Sequence, residues 1–234
     1  MNIAIGSAFR SSTHYLPRYF SQVSQLKQLV AGKHSVRVIA VEGDSQDDTR
    51  NALCRFAGTF GVNIEVRVFN HGQPWFGSTE APERMYHLSG VGNAILDGVK
   101  AEDDVLVYVE SDLLWDAPTI ATLVECAHVQ WRGYDIVSPL IFAGECFYDV
   151  YAFRGLDGER FAPFKPYHKS MHEYFWTEVS SVGSCLVMRA DVARGTEHKQ
   201  AIRMVRGALP EFCTNARLEG YRIGVNPLLR VHHP

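Results

Sequence analysis

Two acidic side chains directly follow a short apolar stretch near the middle of the chain. Val105 to Val109 contains only Val, Leu and Tyr, and its length predicts a buried strand rather than a helix. Glu110 and Asp112 come next, and side chains two residues apart in an extended chain point the same way. Ligands of open α/β sheets bind at the carboxyl ends of the strands. The two carboxylates can therefore converge on a hard divalent cation, which indicates a metal-dependent site for a phosphorylated substrate.

The same acidic pair also has a purely structural interpretation. Glu110 and Asp112 could form a solvated strand end, or cap the helix that is predicted to begin near Pro118. Acidic residues after strands are common, so these residues alone do not decide between the two interpretations. The surrounding segments have to supply further evidence.

Length and composition limit the possible classes of protein. The 234 residues fit one domain, 1–234, and 46% apolar residues can form a sizeable core. A net charge of -3 offers no bulk attraction to nucleic acid, so a nucleic-acid partner is disfavoured. The five cysteines are odd in number and lack metal-ligand spacing, which suits reduced thiols. Without a signal sequence or an apolar run long enough to span a membrane, we expect a soluble, cytoplasmic protein.

Strands and helices alternate through the first half of the chain. This βαβαβ order predicts a right-handed, mostly parallel sheet whose carboxyl ends share one edge with Glu110. The expected strands are Ile3–Ile5, Val36–Val41 and Val62–Phe69, and the expected helices are Leu16–Ala31 and a stretch from about Ser45 to Phe60.

The rest of the chain continues the alternation with longer loops. Asn70 to Arg84 is rich in Gly, Pro and polar residues, which is typical of a functional loop. Gly183, inside an apolar run, indicates a close approach of backbone. The expected helices are Met85–Val99, Pro118–Trp131, Ala190–Val205 and Leu209–Glu219, and the expected strands are Asp135–Leu140, Val179–Arg189 and Tyr221–Val225.

Four segments in this order resemble the GT-A-fold nucleotide-sugar glycosyltransferases, in particular the family 2-like group. The first is the acidic stretch Glu42–Thr49, and the second is Asn93, although Gly92 stands where that group has an Arg. The third is Glu110-Ser111-Asp112, which is similar to the Asp-x-Asp metal motif of the group. The fourth runs from Glu211 to His233 and resembles its acid, helix, Gly-Tyr-Arg-Ile, strand and Val-x-His ending. The resemblance covers nearly the whole chain, but each motif is degenerate.

The resemblance implies a fold and a division of labour. It implies an α/β protein with a mostly parallel central sheet flanked by helices and a smaller sheet on the acceptor side. Residues 1–115 would form the nucleotide-binding half, and 116–234 would form the acceptor-binding half and supply the last metal ligand. The partner would be a UDP- or GDP-linked sugar, and its nucleotide would be held by Ser7, Ala8, Phe9, Arg10, Glu42, Arg84, Asn93, Glu110 and Ser111.

The implied cofactor is Mn²⁺ or Mg²⁺, held by Asp112, Glu110 and a C-terminal His. In the resembling enzymes that His completes the metal shell, and a His ligand favours Mn²⁺ over Mg²⁺. Strand alternation from Val231 sends one of the two terminal histidines to each side. Either His232 or His233 can therefore be the ligand, and we favour His232 slightly.

The acceptor is not identified by the sequence. Aromatic and acidic residues that could line its site are Trp75, Phe76, Tyr148, Asp149, Trp176 and Glu178. Together with Asp112, Glu211 is the predicted catalytic residue, because it occupies approximately the position of the general base in inverting members, and this favours inversion slightly over retention. A nucleotidyltransferase of similar fold and a non-catalytic nucleotide- or sugar-binding module are the alternatives. Gly6 to Thr13 lacks the Gly-rich, basic character that a triphosphate loop usually has.

Overall fold

A single mixed sheet organises the molecule. The computed structural model describes residues 1–72, 75–76, 81–196 and 207–234. In these ranges nine strands form one sheet in the order β3-β2-β1-β4-β8-β5-β9-β7, with the short β6 paired to β5. Their bounds are Asn2–Phe9 (β1), Ser35–Glu42 (β2), Asn63–Val68 (β3), Val105–Val109 (β4), Ile136–Ala143 (β5), Cys146–Phe147 (β6), Thr177–Val179 (β7), Cys185–Arg189 (β8) and Ile223–His232 (β9).

The first four strands confirm the predicted parallel arrangement. β1 pairs in parallel with β2 and β4, and β2 pairs in parallel with β3. β8 then runs antiparallel between β4 and β5, and β9 returns parallel to β5. The carboxyl ends of β1, β2 and β4 therefore lie at one edge of the sheet, at Phe9, Glu42 and Val109.

The helices pack in two groups against this sheet. α1 contacts α2 and α4, whereas α3 contacts α6 and the strands β1 and β2. The apolar spacing seen in the sequence explains the packing of α1, because Tyr19, Phe20, Val23 and Leu26 are all buried. The helix bounds are Leu16–Leu29 (α1), Thr49–Thr59 (α2), Pro82–Leu96 (α3), Ala117–His128 (α4), Ala190–Gly195 (α5) and Ala208–Leu218 (α6).

Several expected elements differ from the observed ones. The strand expected over Val179–Arg189 is divided into β7 and β8, and Ser184 before β8 has a positive φ of 55° that no regular strand accommodates. The helix expected from Met85 begins at Pro82, so Arg84 lies in the first turn of α3. The acceptor-side strands continue the central sheet instead of forming a smaller one. Parts of the expected loop Asn70–Arg84 and of the expected helix Ala190–Val205 lie outside the described residues.

The described helices also bear on a membrane location. None of them combines the length and the apolar character that crossing a bilayer requires.

An ion pair at the opposite edge of the sheet tests the strand order β2-β1-β4. Arg37 on β2 donates from Nε to Asp103 Oδ1 (2.9 Å), and the Asp103 side chain before β4 is buried. We expect Asp103→Ala to cost about 1–3 kcal/mol of unfolding free energy, because the largely buried Arg37 guanidinium loses its nearest carboxylate and keeps only Glu65 (3.6 Å) and the carbonyl of Gly98 (2.7 Å). Urea unfolding measures this cost. Glu102→Ala, which removes a neighbouring exposed acid, is the control and should change stability by no more than about 0.5 kcal/mol. Equal effects of the two substitutions would contradict the pairing.

Candidate active site

A cavity of about 510 Å³ opens at the carboxyl ends of β1, β2 and β4. Its position agrees with the general location of ligands in open α/β sheets. Most of the residues that the sequence analysis singled out meet there, although they come from distant parts of the chain. The predicted residues that line the cavity are Ala8, Phe9, Arg10, Trp75, Phe76, Arg84, Glu110, Ser111, Asp112, Tyr148, Asp149 and His233.

Three carboxyl groups face this cavity. Glu110 and Asp112 follow β4, and Asp149 follows β6. Glu110 is exposed to the cavity, but protein surrounds the cavity on most sides, so desolvation and the nearby carboxylates of Asp149 and Asp112 raise the pKa of Glu110 to about 7. Burial raises the pKa of Asp149 to about 6. The site therefore concentrates more negative charge than the protein around it compensates.

Ser184 connects two of these acids. Its hydroxyl donates to Asp149 Oδ2 (2.8 Å) and also lies close enough to Glu110 to lower the pKa of that carboxyl. The backbone N–H of Glu110 donates to the carbonyl of Ser184 (2.8 Å). Gly183 is required beside it, because a Cβ there would lie 2.6 Å from Asp149 Oδ2. The predicted close backbone approach at Gly183 is thereby confirmed.

The C-terminal strand brings one histidine into the same cavity. Leu114 and His232 exchange two backbone hydrogen bonds (2.7 and 2.8 Å), which hold β9 against the loop after β4. The next residue, His233, then reaches the cavity, with Nε2 lying 3.4 Å from Asp112 Oδ2. The ring of Tyr148 stacks on the His233 ring at 4.1 Å and fixes its plane.

These side chains fit a divalent metal. Asp112 Oδ1 is buried and has no hydrogen-bond partner among the described residues, which is costly unless a cation approaches it. A carboxylate and an imidazole nitrogen are suitable ligands for Mn²⁺. A Glu110 oxygen does not lie within 4.8 Å of both of these donor atoms, so this side chain would have to move to become a third ligand. His233 is thus the histidine placed to bind the metal, whereas the sequence analysis slightly favoured His232. The His232 ring lies in a different cavity, because adjacent strand residues point to opposite sides.

A second group of potential ligands lies outside the cavity. The donor atoms of Asp157, Glu159 and His168 all lie within 4.8 Å of one another. The ammonium group of Lys169 already contacts Asp157 (2.8 Å) and Glu159 (3.0 Å), however, and offsets one of their two negative charges. The backbone N–H of Ser170 donates to Nδ1 of His168, which leaves the ring proton on Nε2, the atom that faces Asp157. Because a metal would have to displace both the lysine and this proton, we favour the Asp112–His233 pair.

The opposite wall of the cavity carries cationic and aromatic groups. The Arg10 guanidinium lies 4.5 Å above the Trp75 ring, and the rings of His71 and His87 stack at 4.5 Å with Phe76 beside them. Asp44 holds the loop that carries His71, because its carboxylate accepts the backbone N–H groups of His71 and Gly72. Flat rings next to a guanidinium are suited to a nucleobase.

Glu42 does not reach the cavity. Its carboxylate is buried and accepts a hydrogen bond from Arg50 Nε at 2.6 Å. Gly43 lines the cavity in its place, and a Cβ at Gly43 would collide with the carbonyl of Phe69 at 1.8 Å. The predicted contact of Glu42 with the nucleoside therefore lacks geometric support, because its side chain is committed to α2.

Two residues predicted to bind the acceptor lie at the far edge of the sheet. Glu178 pairs with Arg222 at 2.6 Å, and Trp176 stacks on Tyr134 at 5.9 Å. The Arg222 guanidinium lies 5.0 Å from the centre of the Tyr134 ring, on which Trp176 stacks. These contacts hold the side chains of Glu178 and Trp176 away from the cavity.

Three further predicted residues are near the cavity without lining it. The Ser7 hydroxyl is buried and donates to the carbonyl of Val109 (2.7 Å), so it joins β1 to β4. Asn93 lies on α3 but not among the cavity-lining residues. Glu211 lies in the first turn of α6, and only the residues just before it, 207–210, line the cavity.

The structure adds residues that the sequence analysis missed. His71, His87, Ser184 and Tyr15 belong to or border the cavity, with the Tyr15 hydroxyl 3.2 Å from the Ser111 hydroxyl. His71 lies in the loop predicted to be functional, so its position was a usable signal. His87 and Ser184 carried no such signal, because only the fold brings α3 and the turn before β8 to this edge.

Comparison with known proteins identifies the class. Comparison with curated protein sequences gives no match. Among solved structures, the mannosyltransferase PcManGT from Pyrobaculum calidifontis, in complex with GDP-Man and Mn²⁺, matches 98% of this chain with 56% of its own length (14% identity, TM-score 0.63). TarS from S. aureus matches 99% with 60% of its length (15% identity, TM-score 0.55). The chain therefore spans somewhat more than half of each of these proteins.

A third structure extends the comparison to another nucleotide. Glucosyl-3-phosphoglycerate synthase from Mycobacterium tuberculosis, in complex with Mg²⁺ and UDP, matches the whole chain with 71% of its own length (15% identity, TM-score 0.52). At such identities the similarity establishes the fold, which is the predicted GT-A fold of nucleotide-sugar glycosyltransferases. The sequence model of the family described as Cryptococcal mannosyltransferase 1 matches residues 2–192. The chain belongs to this family.

The raised pKa of Glu110 gives the metal site a defined pH dependence. Below a pKa of about 7 the carboxyl holds its proton, and a cation has to displace that proton. Mn²⁺ affinity should therefore rise between pH 5.5 and 8, by up to about tenfold per pH unit below the pKa. Calorimetric titration with Mn²⁺ measures this slope. Glu110→Gln should make the slope shallower, and an affinity that does not change with pH in the unmodified protein would contradict the assignment.

Proposed function

We propose that this chain is a metal-dependent mannosyltransferase that moves mannose from GDP-mannose to an acceptor hydroxyl. The family supports mannose as the sugar, and the PcManGT complex offers a precedent for GDP-Man with Mn²⁺ in this fold. The pairing of Asp112 with His233 at the carboxyl end of β4 is the observation that carries the proposal. It supplies a metal position at the strand end where ligands of such sheets bind.

The metal would be held by Asp112 and His233, with Glu110 adding an oxygen ligand. When bound, the ion offsets the negative charge that develops on a nucleoside diphosphate as its bond to the sugar breaks. Arg84 lines the same part of the cavity and lies close enough to Glu110 to lower its pKa. Its guanidinium is suited to the diphosphate, because it presents several N–H donors in one plane.

The aromatic wall would bind the nucleobase. Arg10, Trp75, His71 and His87 provide flat surfaces and positive charge beside the end of β1. Stacking on such rings tolerates any base, so the preference for guanine has to come from hydrogen bonds that this wall makes with the base edge. The nucleotide would thus lie between the aromatic wall and the acidic residues after β4.

Asp149 replaces Glu211 as the carboxylate that acts on the sugar or the acceptor. Asp149 lines the cavity and is held by Ser184, whereas Glu211 does not line it. A carboxylate with a pKa near 6 is suited to accept a proton from a hydroxyl. The preference for inversion depended on Glu211 and loses its support here. As a base Asp149 would give inversion, and as a nucleophile it would give retention, so the anomeric configuration of the product distinguishes these two roles.

The two halves of the chain would contribute different functions. Residues 1–115 provide the aromatic wall and the acids after β4, and 116–234 provide Tyr148, Asp149 and His233. We propose that the nucleotide binds mainly to the first half and the acceptor enters over the second, all within one domain. The cytoplasmic location stays a prediction.

Donor binding should depend on the metal. We expect GDP to raise the melting temperature only when Mn²⁺ is present, by about 5–10 °C at a ligand concentration of about 100 Kd. Asp112→Asn should abolish this shift, because it weakens the metal ligand while keeping the shape of the side chain. UDP is the matched comparison and should give a smaller shift. A GDP shift that is equal with and without Mn²⁺ would refute the proposed site.

Transfer and donor binding should separate at Asp149. Asp149→Asn keeps the volume and the hydrogen bond to Ser184 but removes the charge, so we expect turnover with GDP-mannose to fall by about a hundredfold or more. The GDP–Mn²⁺ melting shift should remain, because Asp149 is not a proposed metal ligand. Glu211→Gln is the control and should retain turnover. Turnover that is lost in Glu211→Gln and kept in Asp149→Asn would restore the original assignment.

A further inference from the structure

A second cavity, of about 450 Å³, lies on the other side of the Leu114–His232 bridge. Its walls come from the residues just after the proposed metal loop and from one face of β9, and they share no residue with the first cavity. Leu228, Arg230 and His232 alternate along β9 and therefore point to the same side. Trp115 and Asp116 form part of the opposite wall. His232, which the proposed metal site does not use, thus belongs to this cavity.

Three side chains of this lining carry donors for which no acceptor is found among the described residues: Trp115 is buried, and Arg230 and His232 are exposed. Trp115 is only 6% exposed, and its indole N–H, which can only donate, has no acceptor among the described residues. Neither the Arg230 guanidinium nor the His232 ring forms a hydrogen bond or an ion pair with a side chain of the described residues. The guanidinium carbon of Arg230 lies 4.8 Å over the Phe142 ring, and this cation–π contact orients the charged group at the edge of the cavity. A buried donor without a partner is costly, so an acceptor from a ligand would stabilise this arrangement.

The one acidic group in the lining is already engaged. Asp116 caps α4, where Oδ1 accepts from the backbone N–H of Thr119 (2.7 Å) and Oδ2 accepts from its hydroxyl (3.0 Å). These bonds satisfy the carboxylate locally and direct it toward the helix. Gln22 also lines the cavity, and its Nε2 already donates to the carbonyl of Leu113 (3.3 Å). The donors left to meet a ligand are the guanidinium, the imidazole and the indole N–H.

We propose that this second cavity binds a phosphate group, either as inorganic phosphate or as the phosphate of a small phosphorylated metabolite. Phosphate offers several acceptor oxygens to a set of donors, and arginine binds it through two parallel N–H groups. A carboxylate shares part of this chemistry but has fewer oxygens to offer three donors. The site is separate from the cavity proposed for the sugar donor, and the proposal does not depend on the transferase activity.

The indole N–H of Trp115 provides a direct probe of this site. Its signal in a ¹⁵N-correlated NMR spectrum, assigned by its disappearance in Trp115→Phe, is followed while inorganic phosphate is added to the metal-free protein. We expect a saturable shift of this signal. In Arg230→Met, which keeps an unbranched apolar side chain but removes the charge, the Kd should rise about tenfold or more.

Two control variants and one competing anion make the test specific. Lys33→Met removes an exposed lysine elsewhere, and Arg10→Met removes a cation from the first cavity; both should leave the phosphate Kd at the Trp115 signal within about twofold. Acetate should bind more weakly than phosphate, and glucose 6-phosphate that shifts the signal as tightly as phosphate would identify the metabolite source. The proposal is overturned by the absence of a phosphate shift, by an equal weakening in Arg10→Met and Arg230→Met, or by acetate that binds at least as tightly as phosphate.

Discussion

Electrostatic repulsion among three carboxyl groups is the constraint around which this cavity is built. Glu110, Asp112 and Asp149 converge on one space where protein limits access to water. Burial raises the pKa of Asp149, and burial together with the two neighbouring carboxylates raises the pKa of Glu110. Such an arrangement is unfavourable by itself, so the fold has to compensate it. Arg84, the Ser184 hydroxyl and the ring of His233 provide part of the compensation. A divalent cation would provide the rest, which turns a local cost in stability into binding energy for the metal and its phosphate ligand.

The pairing of β9 with the loop after β4 determines which side chains take part. The two backbone hydrogen bonds between Leu114 and His232 fix the register of the last strand to within one residue. Because side chains alternate along a strand, this register places His233 beside Asp112 and His232 in the neighbouring cavity. A slip of one residue would exchange the two rings. The same short contact therefore organises both the proposed metal site and the proposed phosphate site.

The sequence predicted the framework of the molecule and the centre of its site. Apolar runs of the right length predict the parallel strands β1 to β4. The directions of these strands then predict that Glu110 and Asp112 lie at the same edge of the sheet as the loop after β1. Residues whose role depends on one neighbour were not predictable in this way. Glu42 is held by Arg50 eight residues later, and Glu178 is held by Arg222 just before β9. The choice between His232 and His233 required the register of β9, which no periodicity encodes. Asp149 and Ser184 meet only through the turn before β8.

The location of the metal tests the central claim most directly. Anomalous diffraction from crystals soaked with Mn²⁺ and GDP would give the position of the ion without reference to activity. The account predicts one strong peak within about 2.0–2.6 Å of an Asp112 carboxylate oxygen and of His233 Nε2. A peak between Asp157, Glu159 and His168, or no peak near Asp112, would contradict it.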